Sequence, residues 1–353
     1  MAAEFEITDG ILVKYLGKDA DVIIPEGVTR IGDSVFEECK SIRSVVIPNS
    51  VVNIGQAAFI CCPNLNNVVI PDSVTSIGHN AFYGCESLSN VTIPDSVTSI
   101  GMLAFLDTPL YKDKRLWDND VLYINNALIT TAYDAKISDT YVIKDGTTCI
   151  ADGAFHDCNN LTSVTIPDSV TSIGIGTFFD CENLISVTIP KSVTNISYCA
   201  FSGCKKLRRV TIPDSVTSIG EKAFYETAIY KESRFRDKGA LYINNSLIDV
   251  RDRVSGTYEI KDGTICIGDN AFANCEKLSS VTIPNSVRSI GNAAFKGCWN
   301  LSSVTIPDSV TSIGDNAFFG CISLSSVTIP DSVTSIGDDA FKFCNIEINH
   351  HAG

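Results

Sequence analysis

A 23-residue period governs this sequence. It is plain in residues 306–324, which read Ile-Pro-Asp-Ser-Val-Thr-Ser-Ile-Gly-Asp-Asn-Ala-Phe-Phe-Gly-Cys-Ile-Ser-Leu. Residues 325–328 complete the unit, and Ile329-Pro330 restarts it. Pro25, Pro48, Pro71 and Pro94 keep the step, as do Pro167, Pro190 and Pro213, then Pro284, Pro307 and Pro330. A phenylalanine column keeps it too: Phe36, Phe59, Phe82 and Phe105; Phe155, Phe178, Phe201 and Phe224; Phe272, Phe295, Phe318 and Phe341. A fixed period of this length means coils that stack, each burying its apolar edges on its neighbours because none can do so alone. The usual inference from 353 residues, two or three globular domains, therefore gives way to one solenoid over residues 1–349.

A longer repetition divides the coils into three blocks of four. Leu122-Tyr-Ile-Asn-Asn-Ala-Leu-Ile129 and Leu241-Tyr-Ile-Asn-Asn-Ser-Leu-Ile248 lie in two related inserts, and each Asn-Asn pair between alternating apolar residues reads as a β-hairpin turn. The expected order is an N-terminal hairpin cap (1–24), repeat block 1 (25–105), an insert (106–147), block 2 (148–224), a second insert (225–264), block 3 (265–344) and a C-terminal tail (345–353), read as mobile.

Within one coil, Leu301, Val304 and Ile306 predict a short strand with one buried face, ended by Pro307. Gly314 is expected to adopt a backbone conformation closed to other residues. Asp315 and Asn316 offer a helix N-cap, and Ala317-Phe318-x-x-Cys321 fits one helical turn.

The pattern L-x-x-V-x-I-P-x-S-V-T-x-I-G-x-x-A-F-x-x-C resembles the BspA-like class of leucine-rich repeat, over the whole chain apart from the hairpin inserts and the last few residues. The resemblance implies an α/β-type solenoid: a right-handed superhelix with a parallel sheet on one face, short helical turns opposite and β-hairpin inserts. It also implies a surface protein of host-associated microbes, of a kind that adheres to host matrix proteins or to other cells.

Chemistry-bearing groups are sparse. Ten of the fourteen cysteines fall in the repeat column, without the C-x-x-C spacing of a metal site, and read as small buried core thiols. Thr108 and Thr227 replace cysteine in the coil before each insert. Cys149 and Cys266 take the serine position of T-S-I-G and are expected to be exposed. His79, His156, His350 and His351 adjoin no nucleophile motif. The column Asp72, Asp95, Asp168, Asp214, Asp308 and Asp331 reads as a solvated turn edge, with inter-coil calcium as the rival reading. No catalytic, cofactor or metal site is expected.

The net charge of −14 argues against nucleic acid and anionic membrane as partners, and no apolar run is long enough to span a bilayer. The first residues lack the basic and apolar regions of a signal peptide. Candidate partner-binding residues are the cations Lys205, Lys206, Arg208 and Arg209, clustered in one coil of an acidic chain. The insert aromatics Tyr111, Trp117, Tyr123, Tyr230, Phe235 and Tyr242 are the others, with coverage of the solenoid as their alternative role. The expected function is non-catalytic protein binding or adhesion at the cell surface or after secretion, to a host or cell-surface partner. The alternative is a cytoplasmic scaffold or recognition module.

Overall fold

The computed structural model describes residues 4–132, 135, 137–232, 236–250 and 254–350. The chain forms two compact units, Met1–Leu161 with Pro167–Cys181, and Thr162–Ile166 with Glu182–Gly353.

Both units are built from the same coil. Its first strand is the V-x-I segment, and its second is the short S-I segment, each paired in parallel with the same segment 23 residues on. In the first unit, Asp21–Ile23, Ser44–Val46, Asn67–Val69 and Asn90–Thr92 form one sheet in register. Arg30–Ile31, Asn53–Ile54, Ser76–Ile77 and Ser99–Ile100 form another, which the N-terminal hairpin Phe5–Thr8 and Ile11–Tyr15 continues. The second unit repeats the scheme, for example in Leu278–Thr282 with Ser303–Thr305 and in Ser289–Ile290 with Ser312–Ile313. The serine after Pro-Asp locks the coils together. Ser73 Oγ donates to the Val51 carbonyl at 2.7 Å and Ser309 Oγ to that of Val287 at 2.6 Å.

The core is a column of phenyl rings. Phe36, Phe59, Phe82 and Phe105 stack face to face with centroids 4.8, 5.2 and 5.5 Å apart. Phe272, Phe295, Phe318 and Phe341 do the same at 4.8, 5.0 and 5.2 Å. A tyrosine closes the head of each block: Tyr15 on Phe36, Tyr141 on Phe155 and Tyr258 on Phe272.

The expected helical turn does not form, so the coil is a β-solenoid coil and the α/β description fails. Each coil instead carries two residues with left-handed φ four positions apart, such as Asn316 (54°) and Gly320 (73°), or Ala57 (52°) and Cys61 (54°). Alternate N–H groups then point to the next coil. Asn316, Phe318 and Gly320 donate to the carbonyls of Asp338, Ala340 and Lys342 at 2.7–2.9 Å. The residues between them fold back, with Phe319 N–H on Asn316 O and Cys321 N–H on Phe318 O. A helix would turn every N–H along its own axis and leave the next coil's carbonyls unpaired. Among the described residues, helix is confined to the inserts: Pro109–Lys112 and Ala228–Lys231, plus the 3-10 turn Lys114–Leu116.

Gly314 departs from expectation as well. Its φ is not left-handed; glycine is required because a Cβ there would lie 2.6 Å from Asn292 N and 2.7 Å from Gly291 C, in the preceding coil. The tail is not loose at Glu347–His350, which pairs in parallel with Ser326–Ile329, so His350 belongs to a strand. His351 lies outside the described residues.

The inserts are hairpins, as the Asn-Asn pairs predict: Val121–Ile124 with Ala127–Thr131, and Ala240–Ile243 with Ser246–Val250. The turn asparagines also dock on the coil before the insert. Asn125 Oδ1 accepts the Ile93 N–H at 2.9 Å, and Asn126 Nδ2 donates to Asp95 at 2.9 Å. Asn244 and Asn245 repeat both bonds on Ile212 N–H and Asp214. Asn125 also holds φ 52°. Asn125→Ala therefore loses a half-buried bond and strains the backbone, for about 2–4 kcal/mol in urea unfolding. Asn125→Gly relieves the strain alone and is expected to lose about half as much.

Candidate partner-binding surface

The four cations lie together at the surface of the second unit. Lys205 Nζ pairs with Glu182 at 2.6 Å, and Arg208 Nε with Glu232 at 3.0 Å. Both pairs are solvent-exposed, and such pairs contribute about 0–1 kcal/mol. Lys206 and Arg209 are exposed and have no ion-pair partner among the described residues. Arg209 opens the strand Arg209–Thr211, in register with Ser186. The patch that emerges is smaller than the sequence count suggests: two carboxylates already offset half of it.

The insert aromatics separate into two groups. Tyr123 is buried, its hydroxyl 3.1 Å from that of Tyr141, and Lys144 Nζ sits 4.3 Å from its ring centre. Tyr242 meets Tyr258 in the same way at 3.5 Å and accepts the Lys261 N–H at 3.1 Å. Burial pushes the hydroxyls of Tyr123, Tyr141 and Tyr258 to higher pKa. These two rings cover the coils beneath them.

Tyr111 and Trp117 are half-buried and meet edge to face at 5.3 Å, with Trp117 Nε1 donating to the Tyr111 carbonyl at 2.8 Å. With Lys112, Lys114, Asn119 and Asp120 they line an open concavity of about 530 Å³. In the second insert Arg236 stands where Trp117 does. Its side chain is only 6% exposed, and it pairs with Asp249 at 2.8 Å beneath Tyr230, its guanidinium 5.0 Å from that ring. Phe235 lies outside the described residues.

Thr108 and Thr227 do more than fill the cysteine slot. Each starts the short insert helix: Thr108 Oγ1 accepts the Tyr111 N–H at 3.2 Å while donating to Phe105 O at 2.7 Å, and Thr227 repeats this on Tyr230 and Phe224. Cys62, Cys85, Cys181, Cys298, Cys321 and Cys344 of the column each donate to a carbonyl of the preceding coil, Cys62 to Phe36 at 2.9 Å and Cys298 to Phe272 at 3.2 Å. None of the fourteen is in a disulfide. Cys149 and Cys266 are buried, contrary to expectation, because the hairpin strand pairs beside them. Each is 1% exposed, and burial pushes both thiols up to about 12. Asp152, which accepts the Ile175 N–H at 2.7 Å, is likewise raised by burial, with His79 Nε2 3.7 Å away. Among the described residues, no three His, Cys, Asp or Glu side chains are grouped to hold a metal ion.

One exposed row was missing from the sequence reading. In the first unit the outward residues of the V-x-I strands are Ile23, Val46, Val69 and Thr92, in register, and the first three are 71%, 46% and 54% exposed. The equivalent positions in the second unit include Thr165, Thr188 and Thr211, all exposed. The signal was present as Val-Ile-Ile-Pro and Val-Val-Ile-Pro against the commoner Val-Thr-Ile-Pro.

The coil, its period and its inserts match one family description, BspA type leucine-rich repeat region (six copies), over residues 16–128, 130–246 and 256–350. The chain belongs to this family. Solved structures similar to this chain include a leucine-rich repeat protein of Bacteroides ovatus, 24% identical, covering 98% of this chain and 97% of that one, with a TM-score of 0.30. A leucine rich cell surface protein of Faecalibacterium prausnitzii is 29% identical over 97% and 90%, at 0.29. The T. pallidum leucine rich repeat protein is 28% identical over 64% and 87%, at 0.30. No curated protein matches the sequence. The BspA-type assignment stands on the sequence match, and no helix among the described residues is long and apolar enough to cross a membrane.

Proposed function

We propose that this chain is a non-catalytic adhesion protein that acts at the cell surface or after secretion and grips a host or cell-surface protein. The observation that carries the reading is the outward row Ile23, Val46 and Val69. Large aliphatic side chains stand exposed and in register on a hydrogen-bonded sheet, where threonine serves elsewhere. Contiguous exposed apolar surface marks interaction sites, and ordering costs little when the backbone is already fixed. Lys206 and Arg209, and the concavity beside Tyr111 and Trp117, are the secondary contacts of this reading.

The test uses the whole chain against a panel of immobilised matrix and cell-surface proteins. Ile23→Ser/Val46→Ser/Val69→Ser is expected to lower affinity for the bound partner at least tenfold, about 1.4 kcal/mol, with unfolding little changed because these side chains are exposed. Arg208→Glu/Arg209→Glu is expected to slow association and weaken its salt dependence. Unchanged binding by both variants would remove the surface assignment. Protection of the chain from added protease in intact cells would favour the cytoplasmic scaffold instead.

A further inference from the structure

We infer that the second unit holds a binding site for a primary alkylammonium group, in the cavity where the insert helix Ala228–Lys231 and the hairpin strand Ser246–Val250 meet the neighbouring coils. The cavity encloses about 180 Å³. Its walls include the rings of Tyr225 and Tyr230, edge to face at 5.4 Å, and Ile248. Glu221, Asp249 and Asp269 bring three carboxylates to the lining, against one ammonium from Lys222.

Two of the carboxylates are already paired, Asp249 with Arg236 at 2.8 Å and Glu221 with Lys222 at 2.9 Å. Asp269 has no cation beside it among the described residues. Asn292 donates to both its oxygens, N–H to Oδ1 at 2.7 Å and Nδ2 to Oδ2 at 3.2 Å. Burial above all, and then the Glu221 and Asp315 carboxylates, raise its pKa against those bonds. A carboxylate drawn out of water without a counter-charge stabilises a cation that enters beside it. A metal ion does not fit, since among the described residues no three His, Cys, Asp or Glu side chains are grouped to hold one. An organic ammonium does, because ring faces serve as its remaining contacts.

The same place in the first unit is built differently. Met102, Leu106, Thr130 and Gly153 hold the positions of Glu221, Tyr225, Asp249 and Asn270. Gly153 and Asn270 share a left-handed φ, 65° and 57°, so the two backbones correspond. Met102 lays its side chain on Gly153, with Cε 2.5 Å from where a Cβ would stand. His79 Nε2 lies 3.7 Å from Asp152, the counterpart of Asp269. In the first unit a thioether therefore fills the space and an imidazole faces the carboxylate. In the second, the Cβ of Asn270 bars a methionine, and Tyr198 stands in place of His79. None of this depends on Ile23, Val46 and Val69, which belong to the first unit.

The experiment titrates the full chain with butylammonium and, separately, with Nα-acetyl-lysine methylamide, read by saturation-transfer NMR at about pH 8 and low ionic strength. A Kd of about 1 mM is expected for butylammonium, with butanol and butyrate not bound. Binding of both amines assigns the site to a lysine side chain of a protein, and binding of butylammonium alone to a free amine. Asp269→Asn is expected to weaken binding about tenfold or more. It should fold normally, because Asn292 makes the same bond to Asp315 N–H, at 2.8 Å, one coil on. Glu221→Met/Asn270→Gly, which copies the filling of the first unit, is expected to abolish binding and keep the urea midpoint. Asp72→Asn removes an exposed carboxylate of the first unit and controls for general attraction to a chain of net charge −14. No binding of butylammonium, binding of butanol or butyrate alongside it, or equal losses in Asp72→Asn and Asp269→Asn overturns the assignment.

Discussion

Gly101→Ala is expected to destabilise the chain by at least about 3 kcal/mol, although it adds one methyl group at a position with ordinary backbone angles. The added Cβ would sit 2.3 Å from His79 N and 2.6 Å from Gly78 C. Both atoms are backbone of the preceding coil, which cannot step aside. Gly101 N–H is bonded to Ile77 O at 2.8 Å, and Met102 N–H to His79 Nδ1 at 2.9 Å. The coils would have to part at a sheet whose spacing is set by its hydrogen bonds. Gly146→Ala is the control. Gly146 has φ 81° with nothing within 4 Å of its missing Cβ, so alanine there meets only the left-handed penalty, about 1–2 kcal/mol. Urea unfolding of both variants separates the two demands on glycine. A larger loss at Gly146 would mean that close approach of coils is not what the I-G motif serves.

How far the sequence carries differs from element to element. The period, the phenylalanine column and the hairpins are legible because each rests on a local pattern: a fixed step, an apolar position, an Asn-Asn between alternating residues. The turn after Gly314 is not, because Ala317-Phe318-x-x-Cys321 has a spacing that a helical turn and a run of tight turns share. What decides between them is where alternate N–H groups go, and their acceptors, Asp338, Ala340 and Lys342, lie one coil away. The same limit applies to Cys149 and Cys266, whose burial comes from hairpin strands brought beside them. In the cation cluster, the partner of Lys205 could have been read from the period, since Glu182 precedes it by 23 residues. The partner of Arg208 could not, since Glu232 follows the second insert helix and leaves the repeat register.

Phe82→Ala should be among the most damaging single substitutions in the first unit. The ring is fully buried, with Phe59 and Phe105 stacked on its two faces at 5.2 and 5.5 Å. In a globular core, neighbours shift to fill part of such a hole, and the cost falls with the volume they reclaim. Here they are held in place. Phe59 N–H is bonded to Ala81 O and Phe82 N–H to Ala104 O, both at 2.8 Å, so neither ring can move along the column without breaking the ladder that positions it. The loss is expected near the upper end of the range for buried aromatics, about 4–5 kcal/mol. Phe82→Leu, which keeps most of the volume, is expected to recover more than half of it. Phe341 provides the contrast: among the described residues it stacks on Phe318 alone, and it is only partly buried, so Phe341→Ala is expected to lose about half as much as Phe82→Ala. Denaturant midpoints at constant slope would measure all three. Equal losses at Phe82 and Phe341 would show that each ring is stabilised within its own coil, and the dependence of every coil on its neighbours would have to be abandoned.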